Sequence, residues 1–416
     1  MRRFPQSDYL FLLIGSNPLP NYVAAKLLAK RSAVIYLLYS EAEENRAIPN
    51  TKLEAEYLQQ VLEKDGVTVA HPRGIHDSAG RIIETRLKKI CQEANIGSSQ
   101  SIGLHYTGAT KPMAVHTHRI LRQLYPKRCQ CSYLDPRRMA FFFDDQPDPV
   151  KIRHDDLHVS LETLANLHGY KISQKQPPRR EPQFPKQFPK LLPALLKIHQ
   201  TVEGVKAWRA WLYTDMEQFP DAVVLKPVRQ KFLDLCSGKE DADRLADVLG
   251  KYPKLASYKK WFTGGWLEDM ALQAIKANAR QFGLQHYAAG LKPKPLPKKK
   301  AQYKEKAPPF DVDVAAMLGY QLFAVSCIAS KKANGETKKH LFEAYVRARQ
   351  LGGDETKVAL VCLVDNPGEV ERTIARDWHV KGQIKLFGYD DLQDTDTLNE
   401  AFRDWFCQHS LYRERC

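Results

Sequence analysis

Residues 106–113 form a loop whose side chains suit a phosphate-rich ligand. Gly108 allows the backbone to approach a ligand closely, and the hydroxyls of Thr107 and Thr110 can form hydrogen bonds with it. Lys111 adds a positive charge at the start of a helical pattern, where free N–H groups favour anions. The loop matches neither the P-loop nor the dinucleotide-binding motif. On spacing alone it is therefore either a phosphate site of another kind or an ordinary strand-to-helix turn.

A second loop, residues 15–18 (Gly-Ser-Asn-Pro), also follows a predicted strand. In parallel sheets ligands bind beyond the carboxyl ends of the strands, so we expect both loops to face one cleft. Ser16 and Asn17 are the polar members of this second loop. Arg73, at another strand end, is a further candidate, and an ordinary surface position is the alternative for it. Arg46 and Thr51 are weaker candidates at a third strand end.

Acidic residues in the last third of the chain suit a metal site. Asp311 and Asp313 alternate on a predicted strand, so both side chains lie on one face. Glu268 stands at the start of a helical pattern, and Glu343 lies on a later one that places Arg347 on the same face. Mg²⁺ prefers carboxylate ligands and serves phosphodiester cleavage. The alternatives are a solvated edge strand and an ordinary surface salt bridge.

The elements that must position the two loops alternate between strand and helix patterns. Short apolar runs separated by amphipathic stretches are typical of a parallel, doubly wound sheet. Strands are predicted at Tyr9–Ile14, Ala33–Leu38, Val67–Ala70 and Ser101–His105, helices at Tyr22–Ala29, Leu53–Leu62, Arg81–Ala94 and Met113–Leu124, and a hairpin at Cys131–Leu134 with Met139–Phe143.

Two basic, proline-rich segments divide the rest of the chain. Residues 171–190 contain five prolines and six Lys or Arg, and residues 292–309 contain five prolines and seven lysines. Because proline fixes φ and removes a donor, both are predicted as linkers, either solvated spacers or basic arms beside a nucleic-acid groove. Residues 191–290 look mainly helical. The elements predicted after them are a hairpin (Asp311–Leu318 with Gln321–Cys327), a helix (His340–Leu351) and a strand (Lys357–Val364).

Composition limits the class of protein. The chain has 416 residues, 43% hydrophobic and 27% charged, which excludes disorder throughout. The formal net charge of +15 favours polyanionic partners, and the two proline-rich segments carry most of the excess. Eight scattered cysteines indicate reduced thiols in a cytoplasmic protein. No apolar run is long enough to span a membrane.

Taken together, the two N-terminal loops resemble a known family. The segments IGSNPLPNYVAAKLL and GLHYTGATKPMAVH are similar to the CARF domain of CRISPR-associated accessory proteins, over residues 1 to about 150. The resemblance implies a Rossmann-like sensor of cyclic oligoadenylate that pairs with a second copy about a twofold axis. An even ring matches such a dimer, which favours cyclic tetra-adenylate. The ligand-binding residues that the resemblance implies are Ser16, Asn17, Thr107, Gly108, Thr110, Lys111 and Met113.

The C-terminal pattern resembles the nuclease domain joined to CARF in one family of such effectors. This resemblance spans about 260–370, includes the GGWLE helix and implies a PD-(D/E)-x-K restriction-endonuclease-like fold. In that pattern a strand aspartate, here Asp313, is followed on the next strand by Glu-x-Lys. Ser326 and Ile328 stand where the glutamate and lysine are usual, and neither side chain can supply the missing charge.

Two explanations of this departure are open. The site has migrated, with Glu343 restoring the acid and a lysine (331, 332, 338 or 339) restoring the cation, or the domain has lost catalysis and only binds nucleic acid. A cysteine nucleophile, Cys327 with His340, is a further alternative. In a migrated site the catalytic residues are Glu268, Asp311, Asp313, Glu343, Lys338 and Lys339, and the ligands of Mg²⁺ or Mn²⁺ are Glu268, Asp313 and Glu343.

The resemblances together imply an accessory effector of type III CRISPR defence. We expect an α/β protein with a CARF sensor domain (1–165), a basic linker and helical connector (166–255) and a nuclease domain (256–416). Cyclic oligoadenylate would switch on metal-dependent endonuclease cleavage of DNA or RNA by a homodimer. The alternatives are a ligand-controlled regulator that binds nucleic acid and a ring nuclease that degrades its own activator.

Overall fold

The first sheet is built around parallel strands that end at one edge. The computed structural model describes residues 4–41, 50–174, 177–183, 188–213, 261–296, 311–330 and 335–409. Within these ranges eight strands form the sheet in the order β3-β2-β1-β5-β6-β7-β8, with β4 also paired to β2. They are β1 (Ser7–Ile14), β2 (Ala29–Glu41), β3 (Thr68–Val69), β4 (Arg73–His76), β5 (Ile102–His105), β6 (Cys129–Asp135), β7 (Ala140–Phe143) and β8 (Val150–Lys151).

Strand pairing in this sheet is parallel from β3 to β6 and antiparallel at β7 and β8. Strand β1 lies at the centre, and its residues from Leu10 to Ile14 are all buried, as a strand covered on both faces requires. The predicted alternation and the β6–β7 hairpin are confirmed. The helices of this part are α1 (Leu19–Leu28), α2 (Lys52–Lys64), α3 (Gly80–Ala94), α4 (Lys111–Leu124) and α5 (Leu161–Leu167).

The second sheet has five strands in the order β10-β12-β13-β14-β15. The β12–β13 hairpin is antiparallel, and β13, β14 and β15 are parallel, so the predicted hairpin is confirmed. The strands are β10 (His286–Leu291), β12 (Val312–Leu318), β13 (Gln321–Cys327), β14 (Lys357–Val361) and β15 (Ile384–Phe387). The helices are α6 (Phe188–His199), α7 (Val202–Tyr213), α8 (Trp266–Phe282), α9 (Gly335–Gly352), α10 (Pro367–Asp377) and α11 (Thr395–His409).

One hydrophobic core runs from the first sheet into the second. Leu157 and Val159, which follow β8, belong to the same buried cluster as Tyr320 in the turn of the β12–β13 hairpin. The N–H of Val159 also donates to the carbonyl of Gly319 at 2.9 Å. The contact continues at the ligand-loop edge, where Gly353 lies against the side-chain amide of Asn17. The two sheets are therefore packed on each other.

The proline-rich segments are not linkers throughout, which corrects the prediction. Strand β9 (Tyr170–Ile172) pairs with β11 (Pro293–Pro295), and Arg179 pairs with Ala289 of β10. Proline is tolerated in such a short edge ribbon because the edge leaves some N–H groups unpaired anyway. The described part of residues 191–290 is mainly helical, as predicted, with strand β10 as the exception. Residues 214–260 and 297–310 lie outside the described ranges. In the described part of the chain, no helix is long and apolar enough to cross a membrane.

Candidate functional site

The two predicted ligand loops lie against each other at the ends of β1 and β5. A Cβ placed on Gly15 would lie 2.2 Å from the carbonyl oxygen of Gly108, and one placed on Gly108 would lie 2.6 Å from the nitrogen of Gly15. Only glycine permits this backbone approach at either position. The loops therefore line one cleft, which we call the loop cleft (residues 15–18 and 106–111). Gly15 was not among the predicted site residues, although its position at a strand end is a usable signal.

Hydroxyl groups hold the second loop in place. The Thr107 hydroxyl accepts a hydrogen bond from the N–H of Leu134 at 2.7 Å. The Thr110 hydroxyl donates to the carbonyl of Asp77 at 2.6 Å and accepts from the N–H of Met113 at 3.3 Å, so it caps α4. Both threonines thus fix the loop, and they are partly exposed rather than buried.

The polar and charged groups free to face the loop cleft lie beside these threonines. Ser16 is exposed, Lys111 is exposed at the first position of α4, and Asn17 is half-buried. The side-chain oxygen of Asn17 accepts from the N–H of Leu19 at 3.0 Å. The cleft therefore offers a hydroxyl, an ammonium group and the N–H of Lys111 at the start of a 14-residue helix, which suit phosphate oxygens. Pro112 has no N–H, and Thr110 accepts from the N–H of Met113.

Of the further predicted residues, two are buried and one is in a surface ion pair. The Met113 side chain is fully buried in the core under α4, as its helical spacing to the buried Thr117 requires. Thr51 is buried too, and its hydroxyl donates to the carbonyl of Ile14 at 3.0 Å. Arg73 pairs with Glu93 at 2.9 Å on the surface, and Arg46 lies outside the described residues.

A buried histidine and a half-exposed polar cluster lie on β5, β6, α4 and the end of β7. His105, the last residue of β5, is fully buried, and burial lowers its pKa to about 3, so it is neutral. Nearby, His118, Cys131 and Asp144 are metal-ligating side chains whose ligand atoms all lie within 4.8 Å of one another. His118 Nε2 lies 2.8 Å from Asp144 Oδ2, and the Tyr106 hydroxyl donates to Asp144 at 2.8 Å. These bonds tie α4 to the end of β7.

The second predicted site is a cavity of about 220 Å³ beside the β12–β13 hairpin, which we call the acid-lined cavity. It brings Asp311, Asp313 and Glu343 together, as predicted from the period of the strand and of α9. The full lining is Asp311, Val312, Asp313, Ala324, Val325, Ser326, Cys327, His340, Glu343, Ala344 and Arg347.

Asp313 is held by the strand that follows it. Its Oδ2 accepts from the Ser326 hydroxyl at 3.1 Å and from the N–H of Cys327 at 2.8 Å. Burial and the nearby carboxylates of Asp313 and Glu268 raise the pKa of the Cys327 thiol. A protonated thiol is a poor nucleophile, so these contacts do not favour the cysteine mechanism.

Glu268 lies near this site but does not line the cavity. Its Oε2 is 3.5 Å from Arg179 Nη2, and it contributes to the raised pKa of Cys327. The neighbouring Asp269 is almost completely buried and accepts from Arg179, from the N–H of Gln183 and from the indole N–H of Trp261. Asp269 therefore fixes the start of α8, and Glu268 stands at the edge of the acid-lined cavity.

The predicted lysines lie on the first turns of α9. Neither Lys338 nor Lys339 lines the acid-lined cavity, whereas Arg347 and His340 do. Lysines 331 and 332 lie outside the described residues. The cationic side chain within the lining is thus the arginine one turn beyond Glu343, which the helix period had placed on the same face.

The donor set of the acid-lined cavity fits a hard divalent cation. Three carboxylates supply oxygen, the donor that Mg²⁺ and Mn²⁺ prefer. In the described part of the chain, however, Glu268, Asp313 and Glu343 do not form a set with all ligand atoms within 4.8 Å of one another. Asp311, Asp313 and Glu343 do not form such a set among the described residues either, so the lining supplies three carboxylates that a bound cation would have to draw together.

Comparisons with solved structures identify the fold. No family model and no curated protein matches the sequence. Protein VC1899 from Vibrio cholerae matches with a TM-score of 0.65 at 13% identity, over 97% of this chain and 98% of that one. Can2 from Sulfobacillus thermosulfidooxidans, solved in complex with cyclic tetra-adenylate, matches with a TM-score of 0.65 at 12% identity, over 96% and 99%. The chain has the mixed α/β fold of these two proteins along nearly its whole length.

Proposed function

We propose that this protein is a metal-dependent nuclease that cyclic tetra-adenylate switches on, and that it acts as a homodimer in type III CRISPR defence. The acid-lined cavity carries the proposal, because it collects three carboxylates, a histidine and an arginine from a strand edge and a facing helix. A fold shared with Can2, which was solved with cyclic tetra-adenylate, supports the choice of activator.

The loop cleft would bind the activator. The glycine contact holds the two loops side by side, while the Ser16 hydroxyl and the Lys111 ammonium group would supply donors and positive charge to the phosphates. Ile82 on α3 and Val115 on α4 are exposed apolar side chains, at 42% and 63%, and the two helices pack on each other. An apolar surface of this kind supports pairing with a second copy, which would complete a twofold site.

The acid-lined cavity would bind the substrate phosphate. Asp311, Asp313 and Glu343 would hold Mg²⁺ or Mn²⁺, which when bound supplies positive charge to the phosphate and activates water. The Ser326 hydroxyl and the Cys327 N–H orient the Asp313 carboxylate towards this role. Arg347 would bind a phosphate oxygen and stabilise the charge that develops there, and His340 lines the same cavity.

A plasmid-cleavage assay tests the proposal. The full-length protein is mixed with supercoiled plasmid and Mn²⁺, with and without cyclic tetra-adenylate, and a single-stranded RNA is offered in parallel. We expect nicked or linear DNA, or cut RNA, only when the activator is present. Cleavage at the same rate without the activator would contradict the switch, and no cleavage of either substrate would contradict the nuclease.

A regulator that binds nucleic acid without cutting it is the second candidate. Ser326 and Ile328, in place of the usual Glu-x-Lys, favour it because neither can carry charge. Electrophoretic mobility shifts distinguish the two functions. A regulator would show activator-dependent binding, unchanged by Glu343→Gln, with no cleavage product at any Mn²⁺ concentration.

A further inference from the structure

A second cavity lies on the other side of α9, between that helix, the segment after α10 and the turn of the β6–β7 hairpin. Its volume is about 380 Å³, within the range of small-molecule sites. We call it the aromatic cavity. Its lining consists of Arg137, Phe342, Tyr345, Arg349, Asp354, Trp378, His379, Val380 and Gln383.

The Phe342 ring of this cavity is open to solvent, whereas Trp378 is half-buried and Tyr345 is buried. Phe342 is 52% exposed, and its ring centroid lies 5.4 Å from that of Trp378. Exposed aromatic side chains beside polar groups are the platforms on which proteins stack unpaired bases. An exposed phenylalanine ring lacks the favourable free energy that burial of its apolar surface would give. A base stacked on the ring would bury that surface.

Cationic groups flank the rings. Arg137 comes from the exposed turn of the β6–β7 hairpin, while Arg349 pairs with Asp354 and lies over the Tyr345 ring. The Tyr345 hydroxyl donates to Gln383 at 2.6 Å, so the far wall is fixed by hydrogen bonds. Arg137 is therefore placed to bind a phosphate. Arg349 stabilises the opposite wall of the cavity through its contacts with Asp354 and Tyr345.

Helix α9 separates the aromatic cavity from the acid-lined cavity. Phe342 lines one and its neighbour Glu343 lines the other. A helix with its side chains is about 10 Å across, a span that one or two nucleotides of an extended strand can bridge. A strand crossing α9 could thus place a base on Phe342 and a phosphate at Glu343.

We propose that the aromatic cavity is a subsite for one unpaired nucleotide of the substrate strand, with its base stacked on Phe342, whose ring meets Trp378 edge to face at 74°, and a phosphate on Arg137. This inference rests on the proposed nuclease function and adds that the substrate is held in single-stranded form next to the cut. Base stacking is tolerant of sequence, so the subsite would position the strand rather than read it.

Binding measured without cleavage tests the subsite. Fluorescence anisotropy of a fluorescein-labelled oligothymidylate strand is recorded in EDTA, with cyclic tetra-adenylate present, for the full-length protein. We expect Phe342→Ala to weaken binding about tenfold and Phe342→Trp to restore it. The control is Leu124→Ala, an exposed apolar residue at the end of α4 that lines neither cavity. A fully paired hairpin duplex should bind equally well to the protein and to Phe342→Ala.

The adjacent arginines give a second comparison. Arg137→Ala should lower the slope of log affinity against log salt by roughly 0.7. Arg138→Ala should leave it unchanged, because Arg138 pairs with Asp135 at 2.9 Å outside the cavity. Equal strand binding by Phe342→Ala and Leu124→Ala would overturn the subsite. No strand binding by the unaltered protein, with or without the activator, would also overturn the subsite, whereas the nuclease proposal stands or falls on the plasmid and RNA cleavage assay.

Discussion

At the scale of single residues, the acid-lined cavity depends on how Asp313 is held. Ser326 occupies the position where the restriction-endonuclease-like pattern has an acid, and it donates to Asp313 instead of adding a second charge. The N–H of Cys327 donates to the same oxygen. Two donors fix the orientation of one carboxylate but contribute no further metal ligand. The negative charge that Ser326 does not supply beside Asp313 would then come from α9, where Glu343 lines the cavity.

Replacement of Glu343 tests this role. We expect Glu343→Gln to slow activator-dependent plasmid cleavage by at least about a hundredfold, because a charged ligand of the reacting centre is lost. Binding of cyclic tetra-adenylate, measured by calorimetry, should stay the same. Gln350→Ala is the control, since Gln350 is exposed on α9 and does not line the cavity. Cleavage by Glu343→Gln at the control's rate would rule out the migrated site.

A buried carboxyl at the contact between the two sheets makes stability depend on pH. Burial raises the pKa of Glu355 from 4.5 to about 7. Between these values the unfolded chain releases the proton and the folded chain keeps it, so stability falls as pH rises from 4.5 to 7. We expect Glu355→Gln to raise Tm relative to the unaltered protein at pH 8 and to have less effect at pH 4.5. Glu369→Gln, at an exposed carboxylate, should leave Tm unchanged at both.

At the scale of elements, local periodicity predicted the helices and strands, because these depend mainly on residues that are close together in the sequence. The helix expected at Met113–Leu124 extends over Lys111–Leu124, and the loop residues line the cleft because parallel strands end together. Met113 is different, because helical spacing turns its side chain into the core although the family motif placed it at the ligand. The β9–β11 ribbon was missed because its partners are far apart in the chain and proline usually indicates a linker. Contacts between distant segments leave no local pattern.

The capping of α4 links helix stability to the loop cleft. Thr110→Ala removes a side-chain cap and should cost about 1 kcal/mol of unfolding free energy, measured by urea denaturation. It should also weaken binding of cyclic tetra-adenylate, because the loop loses its bond to Asp77. Ser160→Ala is the matched control, since Ser160 caps α5 through the N–H of Thr163 at 2.9 Å away from the cleft. If both variants bind the activator equally well, the cap serves stability alone.

At the scale of the whole molecule, the loop cleft and the C-terminal sheet meet at one contact. Gly353 follows α9, the helix that carries Glu343, and a Cβ on it would lie 2.2 Å from Asn17 Nδ2. Tyr320 and Glu355 are buried at the same contact. An activator can shift the nuclease only if it binds one arrangement better than the other. A movement of the Asn17 loop on binding would reach α9 through this turn, without any intervening element.

Two glycines of the same backbone conformation isolate this coupling. Gly353 has φ +73 and Gly382 has φ +74, but a Cβ on Gly382 meets no atom within 4 Å. Alanine at either position costs about 1 kcal/mol of backbone strain, and only Gly353→Ala also displaces Asn17. We therefore expect Gly353→Ala to raise the activator concentration for half-maximal cleavage at least about fivefold, with Gly382→Ala close to the unaltered protein. Coupling between two binding sites is reciprocal. Bound substrate strand should therefore improve activator affinity less in Gly353→Ala than in Gly382→Ala. Equal improvement in both variants would show that the coupling does not pass through Gly353.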